Sequence, residues 1–367
     1  MRDNSPVSGI SGSCFVSLIC AITGPVTVTI DDCFISNNTF ADMLIVGNVN
    51  FSLANSTIKG NTQLWPRPGG GSNVGCILSA NPWGSQISGT VRDCIFSNNK
   101  NGLFILKGLG SGLTLVENSI IKDNRGMAID LEPTNTGQAL TISHCTIDNN
   151  NCLGNGAIRL LEGASPPVSD LVNINFSSIG NNEGPAISLF DGTRSQVNHC
   201  VIYRNQAGCR ISNATSSPNS SIEINYSTIV LSNLFGVGAE GANTSYSCIE
   251  ITNSIIASDQ NYALSRSEDG PTAISYSNFH QGNFARGTET STNLFSEWDG
   301  GNNWIGNPNF VDPDNDDYHT QNVHVSDMGA YAGVTPEPII GASPSLSSTG
   351  YIGAKLPGLK AGEDYIE

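Results

Sequence analysis

Apolar and polar residues alternate in short runs along most of this chain. In Ala139-Leu-Thr-Ile-Ser-His144 and Ser221-Ile-Glu-Ile-Asn-Tyr226, apolar residues fall at every second place. A period of two predicts half-buried strands. The runs lead into a motif of Cys or Ser, an apolar pair, a polar step and Asn. Its copies include Cys33-Phe-Ile-Ser-Asn-Asn38, Ser56-Thr-Ile-Lys-Gly-Asn61, Cys94-Ile-Phe-Ser-Asn-Asn99 and Ser119-Ile-Ile-Lys-Asp-Asn124. The series continues to Asn150, Asn182 and Asn205, with degenerate copies beginning at Ser227, Ser254 and Ser277. Most copies lie 23 to 27 residues apart, with gaps of 38 (Ser56 to Cys94) and 32 (Cys145 to Ser177). A further strand follows the Asn, as in Gly184-Pro-Ala-Ile-Ser-Leu-Phe190.

Each repeat therefore holds two or three short strands joined by polar turns, without the helical stretch a doubly wound sheet requires. Such units bury their apolar faces by pairing with the same strand in the next repeat. The pattern predicts an all-β, single-stranded parallel β-solenoid of about ten or eleven coils, roughly 50 Å long at about 4.8 Å per coil. Long gaps read as loops inserted on one side.

Two columns follow from this register. Asn38, Asn61, Asn99, Asn124, Asn150, Asn182 and Asn205 stack at a strand-to-strand corner, where Asn tolerates a left-handed backbone and its amides can form a ladder. Cys33, Cys94, Cys145 and Cys200 share a small, buried register with serines. Free thiols fit it. The alternative is disulfides in an oxidising compartment, with Cys14–Cys20, Cys145–Cys152 and Cys200–Cys209 as the pairs nearest in sequence. No C-x-x-C pair suggests zinc.

Charge narrows the partners. Among 367 residues there are 16 Lys plus Arg against 32 Asp plus Glu, a net charge of −16. Phosphate binding needs clustered cations, so nucleic acid is excluded as a partner. No run of 18 apolar residues predicts a membrane span. The apolar patch Cys14–Ile22 reads as a first coil in preference to a signal peptide.

The repeat decays after about Asn283. There follows Trp304-Ile-Gly-Asn-Pro-Asn-Phe-Val-Asp-Pro-Asp-Asn-Asp-Asp-Tyr-His-Thr-Gln321, then Asp327-Met-Gly-Ala-Tyr331. These segments resemble the end of bacterial right-handed parallel β-helix proteins of the pectate-lyase-like superfamily, most closely those called choice-of-anchor Q proteins. Asn307 to His319 and Asp327 to Tyr331 carry the likeness. The loop usual between the two segments is missing, and Ala332 stands where the family has Glu. The resemblance implies a right-handed β-helix and an extracellular or cell-surface location. It divides the chain into β-helix repeats (1–290), a closing segment (291–334) and a Pro-, Gly- and Ser-rich tail or arm (335–367).

Candidate chemistry is sparse. The Asp31-Asp32 pair reads as a solvated turn. Arg159, Arg194, Arg204 and Arg210 fall in neighbouring coils without an obvious common register. His144 and His199 each precede a repeat Cys, which predicts a stacked pair two coils apart on an outward face. Asp312, Asp314 and Asp316 alternate as carboxylates in calcium loops do, making calcium the one cofactor suggested. Trp65, Trp83, Trp298 and Trp304 lie in loops or the closing region, where they could meet sugar rings or a subunit. The expected function is a non-catalytic extracellular structural or adhesive protein, with self-assembly into a filament or surface layer as one form of that role. Its expected partners are copies of itself or cell-envelope components. The alternatives are a lyase or glycoside hydrolase acting on acidic polysaccharide, and a carbohydrate-binding fibre.

Overall fold

The structure, a computed structural model, describes residues 18–37, 43–61, 77–80, 87–99, 103–106, 113–132, 140–152, 154–160, 171–190, 192–212, 220–230, 232–240, 247–258, 262–267 and 270–332. The chain winds as an all-β parallel solenoid with three sheets as its sides. The first sheet runs from Leu18–Asp31 to Thr272–Ser275, the second from Phe34–Ser36 to Trp304–Ile305, and the third from Leu103–Leu106 to Asn283–Arg286. Each strand pairs in parallel with its equivalent one coil on, as Ile142 with Ile174 and Ile147 with Ile179.

Complete coils begin with Ile87–Arg92, Ile95–Ser97 and Leu103–Leu106 and end with Thr272–Ser275, Asn278–His280 and Asn283–Arg286. They are fewer than the ten or eleven expected. The opening strands, Leu18–Asp31 and Met43–Ala54, run on through a corner, and the coil beginning near Asp299 contributes only to the first two sides. Among the described residues no helix is long and apolar enough to cross a membrane.

The inward residues form columns. Val91, Val116, Ile142, Ile174, Val197, Ile224, Ile251 and Ile274 line the first sheet. Ile58, Phe96, Ile121, Ile147, Ile179, Ile202, Ile229 and Ile256 line the second. All are buried, each contributing about 1.5–3 kcal/mol by leaving water. β-Branched side chains suit this stacking because one χ1 rotamer serves an extended backbone.

Two left-handed columns turn the corners. Between the first and second sheets Asp32, Asn55, Asp93 and Asn118 take φ of 47 to 51°. Between the second and third, Asn37, Asn98, Asp123, Asn149 and Asn181 take φ of 53 to 57°. The left-handed residue is thus the one before each ladder Asn, which corrects the expectation that one Asn both turns the chain and forms the ladder. A left-handed residue points its side chain outward, where Asn149 bonds Asp123 (2.7 Å) and Asn181 bonds Asp148 (2.8 Å). The next residue points inward.

The C-terminal end of the solenoid is covered. Glu289–Ser291 turns back antiparallel on Asn283–Arg286, and buried Trp298 closes the core with Leu294 and Phe295 packed around it. The tail, 335–367, lies outside the described residues.

Candidate functional site

The inward polar columns hold coil to coil. Asn61, Asn99, Asn124, Asn150, Asn182 and Asn205 are 3 % exposed or less. The backbone N–H groups of Asn124, Asn150 and Asn182 donate to the side-chain carbonyl of the next Asn at 3.1, 2.9 and 3.1 Å. Their side-chain amides reach the same oxygens at 2.9, 3.0 and 2.9 Å. Asn150 also donates to the Ile121 carbonyl (3.0 Å) and Asn205 to that of Ile179 (2.9 Å). Asn38 lies outside the described residues. After Asn205 the register is taken by Ser232, whose buried hydroxyl has no partner among the described residues.

Cys33, Cys94, Cys145 and Cys200 alternate strictly with Ser56, Ser119, Ser177 and Ser227. Each serine hydroxyl accepts the N–H of the cysteine one coil before it, at 3.1 to 3.2 Å. The thiols of Cys145 and Cys200 donate to carbonyls two residues back. Burial pushes the Cys145 and Cys200 thiols up to about 12, against the opposing pull of the Ser119 and Ser177 N–H groups. Cys33, Cys94, Cys145, Cys152, Cys200, Cys209 and Cys248 are all free thiols. The disulfides Cys145–Cys152 and Cys200–Cys209 therefore do not form, because a second-sheet strand and a corner separate the members of each pair. Cys14–Cys20 lies outside the described side chains.

The outer edge of the first corner carries aromatic residues in the middle coils. His144 stacks on Phe176 (5.2 Å), Phe176 on His199 (5.0 Å) and His199 on Tyr226 (5.0 Å), with interplanar angles of 16, 8 and 4°. The two histidines sit two coils apart on one outward face, as their spacing predicts. Sequence reading missed Phe176 between them, although it holds the same place before Ser177. The inner ring faces cover one another, so the stack presents edges to solvent.

The arginines divide. Arg159 and Arg210 do share a register, through Ser188 on the third sheet, contrary to expectation. Arg159 grips Asp130 with two bonds of 2.8 and 2.7 Å, and Arg210 pairs with Glu240 at 3.4 Å. Arg194 begins a first-sheet strand and Arg204 turns the second corner at φ 50°. Asp32 is a left-handed corner residue, and Asp31 accepts Asn55.

The closing segment returns along the outer side of the second sheet. Phe310–Asp312 and Asp317–Thr320 form a hairpin against it. There Val201, Tyr203, Val230 and Ala257 meet Tyr318 and Ala330 in a second small core. Tyr203 lies flat over Gly180, where any side chain would strike its ring. Gly329, at φ +83°, brings the backbone close enough to bond the Asn253 carbonyl at 2.8 Å, and the Ala330 N–H donates to the Thr228 hydroxyl at 3.0 Å. Arg204 donates to the Pro313 and Asp314 carbonyls, both at 3.0 Å, and pairs with Asp316 at 3.1 Å. His319 stacks on Tyr331 and bonds Asp317 at 2.6 Å. Desolvation raises the Asp317 pKa, but the His319 bonds outweigh it and hold that carboxyl below its usual range.

The three calcium candidates are turned to different partners. Asp312 accepts the Asn315 amide (2.7 Å), Asp314 offers Arg204 its backbone carbonyl, and Asp316 pairs with Arg204. Among the described residues no three His, Cys, Asp or Glu side chains gather as a metal site. Trp298 closes the core and Trp304 sits at the end of the second sheet; Trp65 and Trp83 lie outside the described residues. Between the hairpin and the second sheet is a cavity of about 560 Å³, which no motif in the sequence announces.

Compared with known families, the chain matches the one described as "Right handed beta helix region" over residues 3–170 and, overlapping, 83–246. No curated protein and no solved structure matches it.

Proposed function

The chain belongs to the right-handed β-helix family, and from that premise we propose a non-catalytic structural or adhesive protein of the cell exterior. The observation that carries this reading is the outward side of the first sheet. Asn173, Gln196, Glu223 and Glu250 stand in one register there, coil after coil. Beside them Asn225 donates to Asn198 (3.1 Å) and Asn198 to Asn175 (2.9 Å), and Gln196 bonds Glu223 at 2.7 Å. Gln196 with Glu223, and Asn175, Asn198 and Asn225, bind one another between coils, giving a polar, repetitive face suited to a repetitive partner. The likeness of the closing segment to choice-of-anchor Q proteins supports an exterior location.

The covered C-terminal end bears on assembly. A copy adding strands there would have to displace Trp298 and the Glu289–Ser291 strand. Self-association then uses the sides or the other end.

Electron microscopy with light scattering over a concentration series, and cosedimentation with purified cell envelopes, test the reading. Rods that associate with one another or with envelopes support it. A strict monomer that ignores envelopes overturns it, as do unsaturated or newly reducing ends released from polygalacturonate or alginate.

A further inference from the structure

The outer side of the second sheet is covered over its later coils and bare over its earlier ones. One outward row runs through both halves, each member paired with the same place one coil on. In the later half Ser178, Val201, Thr228 and Ile255 are all buried, and Val201 lies in the small core under the closing segment. In the earlier half Thr57, Ile95, Ile120 and Thr146 are only half-buried, and Phe34 is 67 % exposed. The same apolar row that the closing segment covers therefore continues uncovered.

Beside the bare row stand Lys59 and Lys122, outward at the ends of Thr57–Lys59 and Ile120–Lys122. Lys59 is exposed and pairs with no carboxylate among the described residues, and Lys122 pairs loosely with Asp123, at 3.9 Å. They are two of only 16 Lys plus Arg in a chain of net charge −16. An occupant of this side needs apolar groups and carboxylates close together.

The chain itself supplies such an occupant. The Gly329 N–H bonds the Asn253 carbonyl, the Ala330 N–H bonds the Thr228 hydroxyl, and the Ala330 carbonyl lies 3.4 Å from His199 Nδ1. These contacts step from the Asn253 coil to the His199 coil, towards the bare half. Residues 333–367 follow, outside the described residues. From Val201 to Ile95 is four coils, about 19 Å, whereas those 35 residues can span roughly 100 Å. In this segment Glu363-Asp-Tyr-Ile-Glu367 sets an aromatic and an aliphatic residue between carboxylates. Tyr351-Ile352, by contrast, is followed by Lys355, which the two surface lysines would repel. We infer that the chain's own residues 363–367 dock on the outer side of the second sheet, with Tyr365 and Ile366 over Ile95 and Ile120 and the carboxylates facing Lys59 and Lys122. The inference stands apart from the structural or adhesive reading, which concerns the first sheet.

Cross-linking of the full chain with a water-soluble carbodiimide tests it, on an equal mixture of nitrogen-15-labelled and unlabelled protein. The reagent joins a lysine amine to a carboxylate only where the two touch, as an amide with loss of water. The tryptic peptide 361–367 should appear joined to Lys59 or Lys122, with both members carrying the same label. Ile366→Ala and Ile120→Thr should each lower that yield about threefold, the loss of one half-covered apolar contact. Ile120→Thr repeats the residue that Thr146 holds one coil on, and Ile366 lies beyond the last described residue, so both variants keep the fold, which a melting curve verifies. Joined peptides of mixed label would give the place to a second copy's tail and overturn the inference. Absence of the joined peptide, equal joining to Lys107, or a yield unchanged in both variants also overturns it.

Discussion

Between neighbouring coils, the side-chain hydrogen bonds of the Asn ladder join residues 23 to 41 apart in sequence; those holding the closing segment to the coils span 102 to 131. The two regions are stabilised differently. A coil is bonded to two neighbours by the same groups in the same register, so its stability accumulates along the axis. The closing segment has no register. It rests on a few unlike contacts, with Tyr318 at their centre. Damage to a coil should reach the whole rod, and damage to the closing segment should remain local.

The strongest way to break this contrast is at Asn150. Its side chain and N–H join four partners: Asn124, Asn182, and the Ile121 and Asp148 carbonyls. Asn150→Ala leaves the Asn124 N–H and amide without their acceptor in a buried place. Each buried group left unsatisfied costs about 1–3 kcal/mol, so the variant should lose about 4 kcal/mol. Urea unfolding followed by circular dichroism measures it. A loss under about 1 kcal/mol would mean the ladder decorates the corner without bracing it.

Tyr318→Ala probes the other region. Tyr318 is 1 % exposed, packed on Tyr203 and Phe310 with ring centroids at 5.7 and 5.5 Å. Truncating a buried aromatic costs about 3 kcal/mol. Here the loss should appear as faster hydrogen exchange in residues 306–332, with exchange in 171–258 unchanged. Equal acceleration in both regions would show that the segment and the coils unfold as one unit.

The same contrast explains how much was legible in the chain. The strands, the Asn column and the Cys column could be read because each copy repeats the same local demand one coil later. The division of labour at the corner was not, since Asn98 and Asn99 are the same residue type in opposite roles. The docking of the closing segment pairs residues more than 100 apart, so no periodicity reveals it. A trace was present: Tyr203, Val230 and Ala257 are apolar at an outward position where earlier coils carry Ser36, Lys59 or Asp148. Unpartnered apolar residues on one side of a few coils signal a covering element. The cavity between the hairpin and the second sheet gave no trace, because its lining residues converge only after that docking.

A smaller effect sharpens the view of the thiol column. Burial raises Cys94 to about 11 and Cys145 and Cys200 to about 12. An unfolded thiol ionises near pH 8.5. A thiol whose pKa is raised by folding stabilises fully below the unfolded value, and that contribution is lost as pH rises toward the folded one. The protein should therefore weaken above about pH 8.5, by roughly 1 kcal/mol per buried thiol near pH 9. Replacing Cys94, Cys145 and Cys200 by Ser, the residue of the intervening coils, should lessen the fall of the urea midpoint between pH 7 and 10, the buried Cys152 and Cys209 thiols, also raised by burial, keeping the remainder. An unchanged alkaline slope would place the titrating groups elsewhere.

The finest comparison sets two buried serines against each other. Ser177 and Ser188 are both fully buried, eleven positions apart in one coil. The Ser177 hydroxyl accepts the Cys145 N–H (3.1 Å) and donates to the Asn175 carbonyl (2.9 Å). The Ser188 hydroxyl has no partner among the described residues. It lies beneath Gly156, whose backbone at φ +99° leaves no room for a side chain above it. A buried hydroxyl without a partner gives up its water for nothing, whereas one that satisfies a backbone N–H prevents a larger loss. The same substitution should act with opposite sign: Ser177→Ala should destabilise by about 1–2 kcal/mol, and Ser188→Ala should stabilise by up to about 1 kcal/mol. The cavity left at position 188 is a single oxygen wide, too small to reverse that sign. Thermal and urea unfolding of the two variants side by side decide it. Destabilisation by Ser188→Ala would show that its hydroxyl finds a partner when the protein is in water.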